Sequence, residues 1–150
     1  MTRIREVTHD DKTEWIRMRQ ALWPEVTPGE HAEEVDKFLA GRLQMPLAVL
    51  IALDETERAC GVAELSIRAY AEDCVTDRVA YLEGWYVDPE RRRQGIGRAL
   101  VAAAERWARA QGCTEFGSDA LLDNDTSAKA HAALGFTETV QLRCFRKLLT

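Results

Sequence analysis

The chain has 150 residues, 46% of them hydrophobic and 30% charged, and a net charge of −5. That is the make-up of a soluble globular protein long enough for one domain, 1–150, with a substantial core. The longest apolar run, Leu47 to Leu53, is far too short to span a bilayer and no apolar leader opens the sequence, so a cytoplasmic location is expected.

Charge is spread unevenly. Residues 1–75 hold 9 basic and 15 acidic side chains, net −6, and residues 76–150 hold 11 and 10, net +1. The acidic N-terminal half speaks against nucleic acid as the main partner and for a cationic small molecule or polyamine; a plain soluble acidic surface is the competing reading. Cys60, Cys74, Cys113 and Cys144 are scattered without Cys-x-x-Cys spacing, which points to reduced, structural thiols, and no cluster of metal ligands is visible.

In chain order, Thr2 to Val7 reads as a short strand. Thr8 then caps a helix, with Asp11 in the capping-box position. Trp15, Ile16, Met18, Arg19 and Leu22 follow, and the helix stops at Trp23 because Pro24 disfavours helix before it. A second helix is expected from about Pro28 to Gln44, with Val35, Phe38, Leu39 and Leu43 on one face and an acidic opening. Leu47–Leu53 and Ala59–Ile67 read as a hairpin about the turn Asp54–Arg58. A polar loop, Tyr70 to Arg78, leads to Val79–Val87, rich in β-branched and aromatic residues and so a buried strand. From Arg98 to Gln111, Leu100, Val101, Ala104, Trp107 and Ala108 recur at helical spacing, with Gly112 as the C-cap. Thr114–Ala120 is a fifth strand, Asp125–Leu134 a fourth helix capped by Gly135, and Thr137–Val140 and Leu142–Leu148 two last strands. The class is α/β, of the α+β kind: a central mixed sheet of about seven strands with four helices.

Between the buried strand and the third helix lies Asp88-Pro89-Glu90-Arg91-Arg92-Arg93-Gln94-Gly95-Ile96-Gly97. A loop feeding a helix start presents backbone N–H groups with no internal partner, and the helix dipole adds positive charge. Gly95 and Gly97 let a ligand come close, and Arg91, Arg92, Arg93 and Arg98 add full charges, so the loop suits a phosphate or pyrophosphate. It is no Walker loop, lacking Gly-Lys-Ser/Thr, and a poor dinucleotide fingerprint, with Leu100 where the third glycine belongs. A solvated basic turn is the plain alternative.

The run Arg92-x-x-Gly95-x-Gly97 resembles the [Q/R]-x-x-G-x-[G/A] motif of the GNAT superfamily of acyl-coenzyme A-dependent N-acetyltransferases. Asn124 to Phe136 resembles that family's N-x-x-[S/A]-x-x-x-Y-x-x-x-G-F segment, with His131 where Tyr is usual. The resemblance implies the GNAT fold, with the strands before and after the third helix splayed and the pantetheine of acetyl-coenzyme A paired to the first of them. Carried over, Trp85, Tyr86 and Val87 hold the pantetheine, and an N–H among them stabilises the oxyanion. Arg93, Gln94, Gly95, Ile96, Gly97 and Arg98 hold the pyrophosphate, and Asn124 contacts the cosubstrate.

On the acceptor side, Gln20–Pro24, Ser66–Arg68 with Tyr70, Leu82–Gly84 and Ser118-Asp119 are similar to the aminoglycoside 6′-N-acetyltransferases over nearly the whole chain. The likeness implies aminoglycosides as substrates, antibiotic resistance, a homodimer, and Trp23, Tyr70, Glu83 and Asp119 around the acceptor. Carboxylates and flat aromatic surface suit a polycationic sugar. Trp23 reads equally as a core or staple residue, and Tyr70 as an ordinary loop residue. Glu83, an acid in an apolar strand, must be paired or solvated or else stay protonated, and a burial-raised pKa would suit a base. Glu83 and Asp119 are expected to bind the amine, one or both assisting deprotonation, with the choice of base open. His131 is either an acid for the leaving thiolate or a packing residue. Val140 stands where some relatives carry an acid. Another amine acceptor (polyamine, small amine or protein N-terminus) and a non-catalytic coenzyme A sensor are the alternatives.

Overall fold

The structure, a computed structural model, describes residues 2–150. Its strands are β1 (Arg3–Glu6), β2 (Ala48–Leu53), β3 (Ala59–Arg68), β4 (Val79–Val87) and β5 (Phe116–Ser118). The helices are α1 (Lys12–Leu22), α2 (Pro28–Leu39), α3 (Ile96–Ala110) and α4 (Asp125–Ala133), with short 3-10 turns at His9–Asp11 and Pro89–Arg91. The strands lie in sequence order in one sheet, antiparallel from β1 to β4 and parallel between β4 and β5.

Strand periodicity divides the core. On β2, Val49, Ile51 and Leu53 point to one face, where Trp15, Met18 and Val35 of α1 and α2 cover them. Leu50 and Ala52 point to the other, against Ile96, Leu100, Val101 and Ala104 of α3. Every residue of β2 is therefore buried, which is why it reads as an unbroken apolar run.

Several boundaries move. Asp11 takes the Thr8 N–H at 2.7 Å and is gripped by both terminal nitrogens of Arg5, so the capping acid closes a 3-10 turn before α1 begins. Helix α2 opens with the reciprocal Thr27–Glu30 box and stops at Leu39 rather than Gln44, because Gly41 takes a left-handed conformation (φ 72°) just beyond. Helix α3 starts two residues earlier than expected, at Ile96.

The sheet has five strands, not about seven. Residues 137–150 form neither expected strand: no hydrogen bond ties them to the rest of the chain among the described residues, and a strand without a ladder partner does not form. Val140, Leu142, Phe145, Leu148 and Leu149 are all exposed there.

Two features shape the middle of the sheet. Glu64 pairs with Gly84 but Leu65 pairs with Leu82, so Glu83 is an extra, bulged residue on β4. And β5 accompanies β4 only from Ala80–Phe116 to Leu82–Ser118. One step beyond the last pair, the strands part.

Candidate active site

The first half of the site is backbone. Arg93 (φ 62°) and Gly95 (φ 83°) both adopt left-handed conformations, which curl successive N–H groups inward before α3. Among the described residues, the amides of 93–98 have no intramolecular acceptor; the first helical bond is Ala99 N–H to Gly95 O, 2.9 Å. The loop is anchored from below: Arg17 grips both Asp88 oxygens (2.8 and 3.1 Å) and Arg91 donates to Asp54 at 2.7 Å. Arg92 donates to Val87 O at 2.9 Å. Of the four arginines read as phosphate ligands, two are thus held, Arg91 by an acid and Arg92 by a carbonyl, and Arg93 and Arg98 have no internal hydrogen-bond or acid partner among the described residues. Gly97 keeps a cradle open, since a Cβ there would meet the Trp85 ring at 3.1 Å.

This donor set fits the coenzyme A that the family pattern implies. Free amides and two cations match a pyrophosphate, and past Leu82 the β5-facing edge of β4, Glu83 to Val87, has no strand beside it. The Val87 carbonyl is already capped by Arg92, which leaves Trp85 and Tyr86 the freer partners for an extended arm. Asn124 caps α4, accepting the Ser127 N–H at 3.0 Å through its side-chain oxygen, so only its amide NH₂ remains for a ligand.

The second half is made of side chains. Glu83 and Asp119 stand on opposite lips of the gap, one residue past the Leu82–Ser118 pair. Glu83 is paired, not bare: Arg68 holds both its oxygens (2.9 and 2.6 Å) and Ser66 donates to it as well. Arg68 also lies flat over Tyr81, 3.6 Å from the ring centroid, and Tyr81 donates to Asp119 at 2.7 Å. Burial first, then donation to Asp119, pushes the Tyr81 phenol well above its ordinary range. Asp119 itself is exposed and has no internal cation among the described residues.

Trp23 is half-buried with its ring on Gly84, where a Cβ would come within 2.7 Å of it. Gly84 neighbours Glu83, so the Trp23 ring lies one residue along β4 from that acid. Tyr70 is 70% exposed and makes no recorded contact with the other three; its neighbour Ala71 is buried beside Tyr81, which puts Tyr70 on the outer rim. Val140 lies in the unpaired tail.

His131 is satisfied on both sides. Its Nδ1 lies 2.7 Å from the Ser127 carbonyl, which only accepts, so Nδ1 carries the proton and Nε2 accepts from Ser118 Oγ at 2.7 Å. The ring packs edge-on against Trp85 and Phe136. Sequence reasoning missed Arg68, Tyr81 and Ser66 as partners of the two acids. Ser66 and Arg68 alternate on a strand that pairs with Glu83's own, a pattern that points to Glu83 only once the strand register is known.

Residues 15–136 match the model of the acetyltransferase (GNAT) family. The chain is 56% identical to aminoglycoside N(6')-acetyltransferase type 1 of Klebsiella aerogenes, covering 97% of this chain and 96% of that one. It is 40% identical to the same-named protein of Acinetobacter baumannii, over 96% and 97%. Among solved structures it is similar to AAC(6')-Iy in complex with the bisubstrate analog CoA-S-monomethyl-acetylneamine, with a TM-score of 0.91, 34% identity and 99% of each chain covered. AAC(6')-Ih from Acinetobacter baumannii superposes with a TM-score of 0.90 at 37% identity, over the whole of both chains.

Proposed function

We propose that this chain, which belongs to the acetyltransferase (GNAT) family, transfers an acetyl group from acetyl-coenzyme A to the 6′-amine of aminoglycosides and so confers resistance to them. One domain, 1–150, would do this by direct attack of the amine, with no covalent enzyme intermediate. The observation that carries the reading is the parting of β4 from β5 one residue past Leu82–Ser118, with Glu83 and Asp119 on its two lips.

Acetyl-coenzyme A supplies an acetyl group activated as a thioester. The amides of residues 93–98, with Arg93 and Arg98, hold the pyrophosphate, and the open edge at Trp85, Tyr86 and Val87 orients the arm, helped by Asn124. An N–H on that edge meets the thioester oxygen. Trp23 and Tyr70 supply flat surface for sugar rings. Asp119, free of an internal cation, takes the acceptor ammonium first; Glu83 joins it where Arg68 yields. Either carboxylate then accepts the proton, directly or through water.

The same reading makes the protein a cytoplasmic homodimer with no nucleic-acid or membrane partner. In support, the tail 137–150 exposes five large apolar side chains while β5 ends the sheet with no strand on its outer side, needs that a second copy meets together. The four free cysteines suit a reducing compartment.

The test is release of free thiol from acetyl-coenzyme A over a panel of aminoglycosides. Thiol should appear with kanamycin- and tobramycin-type acceptors and not with analogues carrying a 6′-hydroxyl. A preference for spermidine or peptides would move the acceptor elsewhere, and cofactor binding by calorimetry without turnover on any amine would leave only a sensor.

A further inference from the structure

Beneath the acceptor side of the sheet lies a charged cluster the proposed chemistry does not use. Arg19 is 7% exposed, yet it has three hydrogen-bond partners: Nε donates to His31 Nδ1 at 3.2 Å, and the two terminal nitrogens donate to Glu64 and Glu34. Its guanidinium carbon lies 4.9 Å from the centre of the Trp23 ring. His31 is wholly buried, and because its Nδ1 accepts from Arg19, its proton sits on Nε2, which donates to the Trp23 carbonyl at 3.1 Å. Trp23 is therefore fixed twice, by its backbone through His31 and by its ring through Arg19.

Glu64 is the anchor of this arrangement. It is 1% exposed; Oε1 takes the Arg19 N–H and Oε2 has no partner. That free oxygen faces the same spot above Gly84 that the Trp23 ring occupies, at 3.3 Å and 2.7 Å from a Cβ built there. The charged groups around Glu64 are Arg19 from α1, Glu34 from α2 and Glu83 from β4, with His31 of α2 joined to it through Arg19. Desolvation, opposed by Arg19, pushes the Glu64 carboxyl up to about 7.

We propose that Glu64 is a positioning residue for the acceptor wall: its ionised carboxylate holds Arg19 flat against Trp23, and Trp23 meets the acceptor well only in that pose. This rests on the reading that Trp23 touches the acceptor. Protonated Glu64 offers Arg19 a neutral acceptor in place of a carboxylate, so the ion pair is lost and the hydrogen bond weakens. Arg19 then leans toward Glu34, whose side chain is 51% exposed on the rim, and its face leaves the ring. Acceptor binding weakens as pH falls through the Glu64 range.

The full chain and Glu64→Gln are compared between about pH 6 and about pH 8, a window that brackets the Glu64 titration. Two readouts are followed: the Trp23 indole N–H resonance, assigned with Trp23→Phe, and KM and kcat for kanamycin. In the parent chain the resonance should shift with a midpoint of about 7, and KM should be about threefold below that of pH-matched Glu64→Gln at the alkaline end and rise to meet it at the acid end, the size of a cation–π contact. The two proteins should keep parallel kcat profiles. Arg19→Lys keeps the charge without the flat face and covers the case in which Glu64→Gln does not fold; its indole resonance should lose the pH dependence. An indole that ignores pH in the parent chain, or titrates alike in Glu64→Gln, overturns the proposal. A titrating indole with a pH-independent KM keeps the Glu64–Trp23 link and instead removes Trp23 from the acceptor site.

Discussion

The loop of residues 93–98 and the cup around Glu83 and Asp119 lie on either side of one gap, yet they are built from different materials. The loop offers main-chain amides, made available by left-handed turns at Arg93 and Gly95, while Arg91 and Arg92 just before it serve to anchor it. The cup is a relay of side chains from three strands' worth of sequence: Ser66 and Arg68 on β3, Tyr81 and Glu83 on β4, and Asp119 just past β5. Backbone sites tolerate changes in side chain and fail when a glycine is lost. Side-chain sites behave the opposite way.

That contrast can be broken most sharply at Asp119. Asp119→Ala should lower kcat/KM for kanamycin by about 100-fold or more, the usual weight of a proton-accepting group, while coenzyme A binding by calorimetry stays unchanged. An active variant would take the acid out of the cup. Next in size, Gly84→Ala forces a methyl to within 2.7 Å of the Trp23 ring. It should raise acceptor KM about tenfold, the size of a lost packing and cation–π contact, with the carrier KM unmoved.

On the loop side, replacing Arg93 and Arg98 together by Ala should weaken coenzyme A binding only about fivefold, since exposed charges contribute modestly, and should flatten its salt dependence. A loss as great as that of Asp119→Ala would mean the loop binds by charge rather than by amides. The smallest effect concerns the loop's footing. Asp54 is drawn down to about 2, chiefly by the Thr56 hydroxyl, then the Arg58 and Thr56 N–H groups and the charge of Arg91. Its folded value lies below its unfolded one, so its contribution is whole above the ordinary carboxylate range and is lost as pH falls through about 2. Asp54→Asn should shallow the acid limb of a urea-midpoint against pH plot without altering activity at neutral pH.

The same division decides what can be read from residues alone. The loop and the start of α4 are legible because Gly95, Gly97 and Asn124 are tied to backbone geometry at fixed spacing, even though the second motif carries His131 in place of Tyr. The strands and helices of the core are legible through periodicity, as Val49/Ile51 against Leu50/Ala52 shows. The partners of Glu83 are not, because Arg68 is 15 residues away and meets it only through strand register. Glu64 hides for a related reason: an acid in an apolar run has no local mark that distinguishes Arg19, 45 residues earlier, as its partner. The tail misleads in the other direction, since Thr137–Val140 and Leu142–Leu148 have strand-like composition but no ladder to join.

The bulge at Glu83 makes the middle of the sheet sensitive to counting. Because side chains alternate along a strand, the extra residue is what sets Leu82 and Gly84 on opposite faces, and removing Glu83 would restore an even ladder with the pairs Gly84–Glu64 and Trp85–Ala63 kept. The Trp85 indole would stay beside Gly97, and the ring of Tyr86 would stay in the opposite layer. A single in-frame deletion there should therefore take the acid from one lip of the gap and leave the edge and loop on the carrier side standing.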